Sequence, residues 1–231
     1  MRLPLLVSVP HAGRRVPDDV RAYCVLAPDE VARDSDEGAA EIYALAGDVE
    51  RFITTDVARA IVDLNRSEAD RRKDGVVKTH TCWDVPVYDP FPPERVVEQL
   101  LEAYYRPYHW QLTEWAGGRN RAGLDCHTMA ASGPPVGPDP GVERPWVCLS
   151  NGEGTCPQAW IDSLARCFEE QFGPSVSINA PFTGGYITRR HASEMPWIQV
   201  ELSRGPFLST AEKHEGVRGA IRSWCRTQFH V

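Results

Sequence analysis

The sequence predicts an α/β fold, a three-layer α/β/α sandwich around a mixed, mostly parallel sheet, and three patterns carry that expectation. Short apolar runs at residues 3–9, 124–127 and 197–202 have the length and composition of strands buried on both faces. Longer segments at 93–115, 157–172 and 212–229 repeat their apolar residues at helical spacing. The two kinds of segment alternate along most of the chain, which places helices on the faces of a sheet.

The first apolar run is closed by Pro10, so a first strand delivers His11 at its carboxyl end. The opening MRLPLLVSVP lacks a small-residue cleavage site and reads as this strand, not as a signal peptide. Mixed charges and prolines in 14–34 predict loop with at most one short helix. The next helix is expected from about Asp36, with Ile42, Leu45 and Ala46 along one side and Asp34, Ser35 or Asp36 as its cap. Residues 52–54 and 59–64 read as strands, the second running into Asp63-Leu64-Asn65-Arg66. The charged, then Pro-, Trp- and Tyr-rich segment 67–93 predicts either an excursion over a functional face or a poorly ordered loop.

In the helix at 93–115, Pro93 marks the start, Pro107 a kink and Gly117-Gly118 the stop. Its Tyr104, Tyr105 and Tyr108 read as core-facing, and His109 as packing or loop support. The strand at 124–127 is followed by a Gly- and Pro-rich loop over 132–145, strands at 145–149 and 176–178, and the helix at 157–172 between them. Gly184-Gly185 permits close backbone approach just before the cationic Arg189-Arg190-His191. The strand at 197–202 carries Glu201, and the helix at 212–229 closes the chain. No repeat or linker interrupts this order, so residues 1–231 read as one domain.

A net charge of -7 with no basic tract argues against nucleic acid or an anionic membrane as the main partner. No run approaches the roughly 18 apolar residues of a membrane span. Seven cysteines, an odd number without CxxC spacing, read as reduced thiols and point to the cytoplasm. A small anionic substrate would then need a local basic pocket.

Aligning the strand ends brings His11, Asp36, Asn65-Arg66, Asp125, His127 and Glu201 to one edge of the sheet, where open α/β sheets bind ligands. Asp125 and His127, two apart on a strand, point to the same side. Two histidines and a carboxylate are a common ligand set for catalytic zinc, with the fourth position left to water. Glu201 in an apolar strand is costly to bury without a partner. It reads either as the base that takes a proton from that water or as half of a structural ion pair with Arg66 or Arg204.

The motifs VSVPHAG (7–13), DSDEGA (34–39), VDLNR (62–66), RPYH (106–109), DCHTM (125–129), GGYITRRH (184–191) and QVEL (199–202) resemble those of the N-formylglutamate amidohydrolase family, in family order across nearly the whole chain. The resemblance implies a zinc-peptidase-like hydrolase fold, related to zinc carboxypeptidases and aspartoacylases. It implies one zinc ion, or another divalent transition metal, on His11, His127 and an acid of the DSDEGA block. Asp36 aligns best with that position, with Asp34 and Glu37 as alternatives. By the same resemblance Glu201 is the catalytic glutamate, and Asn65, Arg66, Arg189 and Tyr186 serve the substrate, Arg66 also acting in catalysis. Asp125 stands behind His127. The implied activity is removal of an N-formyl or other small N-acyl group from an acidic amino acid such as N-formylglutamate. The rival readings are a zinc deacylase for another N-acyl amino acid, peptide or peptidoglycan fragment, and a noncatalytic ligand- or metal-binding module on the same fold.

Overall fold

The computed structural model describes residues 2–231. Strand β1 (Leu3–Val9) is followed by three short helices, α1 (Asp18–Arg21), α2 (Pro28–Asp34) and α3 (Ala39–Ile42), and by β2 (Val49–Thr54). After a long excursion come α4 (Glu94–Leu100), a π-helical turn (Leu101–Tyr105) and α5 (Arg106–Trp115). The chain continues through β3 (Ala122–Met129), β4 (Val147–Ser150), α6 (Gln158–Phe172), β5 (Val176–Ile178), α7 (Tyr186–His191), β6 (Trp197–Ser203) and α8 (Thr210–Phe229).

The six strands form one sheet in the order β2-β1-β3-β6-β4-β5. Pairing is parallel from β2 through β6; β4 then runs antiparallel to β6, with β5 parallel to β4. Helical layers cover both faces, as the sequence predicts. On one face Ile42, Phe168 and Trp224 pack on Leu124 and Val200. On the other, Val97, Leu100, Tyr108 and Ile187 pack with Leu6 and Trp197. The strict alternation of β3 sorts its side chains between them, with Leu124 and Cys126 in the first core and Asp125 and His127 on the opposite face. Gly123 is required by the same packing, because a Cβ there would lie 2.3 Å from the Trp197 indole.

Five expectations are revised. Residues 59–64 form a turn, not a strand, since Ala58, Ile61 and Val62 have the i, i+3, i+4 spacing that one helical turn buries equally well, and Ile61 and Val62 N–H both donate to the Ala58 carbonyl. Residues 14–34 hold two helices. The following helix begins only at Ala39, with Gly38 at φ 78° as its cap residue, because the carboxylates of Asp34 and Asp36 are engaged elsewhere. Near Pro107 the helix widens into the π-helical turn just upstream, which relieves the contact of the proline ring with the preceding turn. The last helix starts at Thr210, two residues earlier than expected. Ser209 Oγ accepts the Glu212 N–H at 3.3 Å and Glu212 accepts the Ser209 N–H at 2.8 Å.

Among the described residues no helix is long and apolar enough to cross a membrane. The carboxyl ends of β1, β3 and β6 lie side by side at one edge. Ser8, Asp125 and Gln199 are neighbours in one row, and His127 and Glu201 in the next row outward.

Candidate active site

At that edge the Asp36 N–H donates to the His11 carbonyl at 3.1 Å and ties the turn between α2 and α3 to the end of β1. His11 Nδ1 and His127 Nδ1 lie 3.2 Å apart, and Asp36 Oδ2 lies 3.0 Å from His127 Nδ1 and 3.6 Å from His11 Nδ1. Ligands bonded at about 2.0–2.2 Å to a tetrahedral ion are separated by about 3.3–3.6 Å, and the separations of this buried trio, 3.0 to 3.6 Å, lie within a few tenths of an ångström of that range. The donor chemistry suits it too. The outward nitrogens face carboxylates, His11 Nε2 with Asp63 Oδ1 at 2.8 Å and His127 Nε2 with Asp125 Oδ2 at 2.9 Å. With both N–H groups turned outward, two imidazole lone pairs and a carboxylate oxygen face one another, an arrangement that a cation reconciles. The other Asp36 oxygen accepts from Arg59 at 3.1 Å. The competing acids are placed differently: Asp34 is held by Lys78 at 3.2 Å and by the Cys82 N–H at 2.9 Å, and the half-exposed Glu37 lies 3.8 Å from Arg204.

Burial opposes ionisation of these acids, yet charge keeps them ionised. The two histidines hold Asp36 well below the usual carboxylate range, and His11, Lys78 and Arg59 do the same for Asp63. Burial would also discharge His127, but Asp125 and Asp36 outweigh it and keep its proton affinity well above the ordinary imidazole value. Glu201 goes the other way. Burial pushes it up to about 7, and Asp36 and Asp125 add to that rise against the pull of His127 and Arg59. Arg66 is paired with Asp74 and Arg204 faces Glu37, so neither forms the structural ion pair with Glu201. Its hydrogen-bond partner is Gln199, whose Nε2 donates to Glu201 Oε1 at 2.9 Å.

The trio and Glu201 line a cleft of about 500 Å³, walled by Asn65, Arg66, Gly184-Gly185 and the loop carrying Pro134, Val136 and Pro138. Four residues assigned to substrate by resemblance sit in unequal positions. Arg66 lines the cleft, with its guanidinium on Asp74 at 3.2 Å. Asn65 also lines it, but its amide is used within the protein. Nδ2 donates to Asp125 at 3.2 Å, and Oδ1 accepts the Ile187 N–H at 2.8 Å. Tyr186 stands outside the lining, its ring edge-on to His109 at 5.6 Å. Arg189 also stands outside, partly exposed, within 3.3 Å of Thr183 Oγ1. Gly185 leaves no room for a side chain, since a Cβ would sit 2.1 Å from Asn65 Nδ2. Gly185→Ala is therefore expected to displace Asn65 and, through it, Asp125 and His127. Metal affinity should weaken by about 10-fold or more, as loss of an outer partner does; titration of the folded variant checks this.

A sequence model of the N-formylglutamate amidohydrolase family matches residues 3–207. The chain belongs to that family. An N-formylglutamate deformylase of Pseudomonas putida is 29% identical over 233 residues, covering 91% of this chain and 84% of the relative. Another of that name from Pseudomonas aeruginosa is 27% identical, covering 96% and 91%. Among solved structures, an N-formylglutamate amidohydrolase from Ralstonia eutropha superposes with a TM-score of 0.77 at 22% identity, covering 100% of this chain and 94% of that one. The gene product Atu2144 of Agrobacterium tumefaciens gives 0.76 at 16% identity, covering 99% and 90%. Both structures share the fold.

Within this amidohydrolase fold, several cleft-side residues carried no separate signal in the sequence. Arg59 was hidden in an apolar run, and Lys78 in an irregular one; Arg59 pairs with Asp36 and Lys78 with Asp34, across segments that only the fold brings together. Gln199 did leave a trace. It precedes Glu201 by two, as Asp125 precedes His127, and in both strands the inner residue bonds the outer one.

Proposed function

We propose that this family member is a zinc-dependent amidohydrolase that removes a formyl group, or a similarly small acyl group, from an acidic amino acid such as N-formylglutamate. We further propose that it acts as one domain over residues 1–231 in the cytoplasm, a setting that suits its seven free cysteines. One observation carries the reading: three convergent ligand atoms stand beside a buried carboxylate that among the described residues has no ion-pair partner, in a cleft lined by five cationic side chains.

His11, Asp36 and His127 would hold the zinc, which when bound supplies a Lewis acid that polarises the acyl carbonyl and acidifies water. Asp63, Asp125 and Arg59 fix the orientation of those three side chains. Glu201 takes the proton from the attacking water and passes it to the departing nitrogen, while Gln199 holds Oε1 and leaves Oε2 for the transfer. Arg66 steadies the carbonyl oxygen or a substrate carboxylate from the cleft wall. The deciding experiment combines elemental analysis with formate release from N-formyl-L-glutamate, measured beside N-acetyl and N-formimidoyl analogues. About one zinc per chain and highest kcat/KM on the formyl substrate are expected. No bound metal, or no release from any of the three, overturns the reading.

The base works only when ionised, so kcat/KM should rise with pH and level off. With Glu201 at about 7, the rate falls roughly tenfold for each pH step below that value, and a bound dication moves the limb to lower pH. A pH–rate profile between about pH 5 and 8 checks the sign. A rate that rises towards acid would contradict a carboxylate base.

A further inference from the structure

Five cationic side chains line the cleft, and their partners separate them. Arg59 is bonded to Asp36 at 3.1 Å, Lys78 to Asp34 at 3.2 Å, Arg66 to Asp74 at 3.2 Å and Arg144 to Asp139 through two bonds of 2.6 and 2.7 Å. Arg204 differs. Its Nη1 donates to the Ser35 carbonyl at 2.9 Å, and its nearest carboxylate, the half-exposed Glu37, stands at 3.8 Å. Among the described residues it is the one cleft cation without a carboxylate at hydrogen-bonding distance.

The backbone holds Arg204 firmly in place. It follows β6 directly, three residues beyond Glu201, and its N–H donates to the Met129 carbonyl at the end of β3 at 2.8 Å. Its guanidinium rests on Ser35, the neighbour of Asp36, which meets His127 from the Nδ1 side. Arg66 follows Asn65, which meets His127 from the Nε2 side at 3.2 Å. Arg66 and Arg204 thus both line the cleft that holds the candidate metal centre.

We infer that Arg204 is the specificity-determining residue of the cleft: it anchors the side-chain carboxylate of a dicarboxylic N-acyl amino acid, while the reacting amide lies at the candidate metal centre. This rests on the deacylase reading above. The chemistry follows from the geometry. Four of the cations have their charge matched inside the protein, whereas the Arg204 fork keeps N–H donors free for a carboxylate that brings its own charge. The half-exposed Glu37, 3.8 Å away, makes a weak surface contact that such a ligand can replace.

The test compares metal-loaded wild type with Arg204→Met and Arg204→Lys. Binding of glutarate and of butyrate is measured by calorimetry, and kcat/KM on N-formyl-L-glutamate and N-formyl-L-glutamine by formate release. Wild type should prefer the second carboxylate in both assays. Arg204→Met should cut the glutamate-to-glutamine ratio of kcat/KM by about 100-fold, chiefly through KM, and erase the glutarate-over-butyrate preference; Arg204→Lys should restore part of each. Equal losses on both members of each pair would mark Arg204 as merely structural and overturn the assignment, as would a wild type that binds glutarate no better than butyrate. If wild type hydrolyses neither formyl substrate yet shows the Arg204-dependent glutarate preference, the deacylase reading fails and the dicarboxylate anchor stands.

Discussion

Glu201→Gln is expected to lower kcat by about 10³-fold while leaving the metal content of the purified protein intact. The substitution keeps the size and shape of the side chain, and its amide oxygen can still accept from Gln199 Nε2, so the cleft wall is preserved. What disappears, on the proposed mechanism, is the acceptor for the proton of the attacking water. The same variant should be more stable than wild type when both are stripped of metal. A buried carboxyl raised from 4.5 to about 7 makes folding less favourable wherever the unfolded chain is ionised and the folded one is not. The sign follows: wild type binds the extra proton when folded, loses stability as pH rises through that window, and above it stands about 3 kcal/mol below the neutral variant. Melting curves of the metal-free proteins near pH 8 and pH 4 test this, with the gain confined to the higher pH. Unchanged turnover would remove Glu201 from the chemistry, and unchanged melting would mean that its buried charge is matched by a neighbour.

His127→Ala is expected to lose stoichiometric metal and at least about 10³-fold of kcat/KM, because two ligands remain where catalytic zinc takes three. It removes one convergent nitrogen and leaves Asp36 and Asp125 without their shared partner. If His127 were only a hydrogen-bonded interior histidine, the variant would be destabilised but its folded fraction would bind metal as wild type does. Metal per folded chain, with circular dichroism on the same sample, separates the two. Asp125→Asn provides the graded control. It keeps the shape behind His127 and should weaken metal binding by about 10–100-fold without abolishing it.

The sheet was legible in the sequence because strands buried on both faces write continuous apolar runs, and the first polar residues after such runs land at one edge. His11 and His127 were found in that way, and the structure brings them together with Asp36. The turn at 59–64 was misread because an apolar run of that length satisfies a turn and a strand alike. The pairing of Lys78 with Asp63 was illegible for another reason. It depends on the path of a segment without periodicity, and nothing local to either residue marks it. Arg189 drew attention because it follows two glycines, but α7 turns Ile187, Thr188 and His191 inward and leaves Arg189 on its outer side. Arg204 was visible as a charge and legible only as an ion-pair partner, since its unmatched state is a property of distances to other chain segments.

The reversed direction of β4 has a consequence for how this scaffold can diversify. Connections between parallel strands must travel the length of the sheet, but β3 ends and β4 begins at the same edge, on either side of β6. The link between them, residues 130–146, therefore passes over the end of β6, where Glu201 lies, and furnishes Pro134, Val136 and Pro138 to the cleft. Lengthening a loop costs little, about 0.6 kcal/mol for each doubling, and this one can be exchanged without shifting the register of any strand. The roof of the cleft is thus a modular part: insertions there can reshape the space above Glu201, while the framework that holds His11, Asp36 and His127 keeps its geometry.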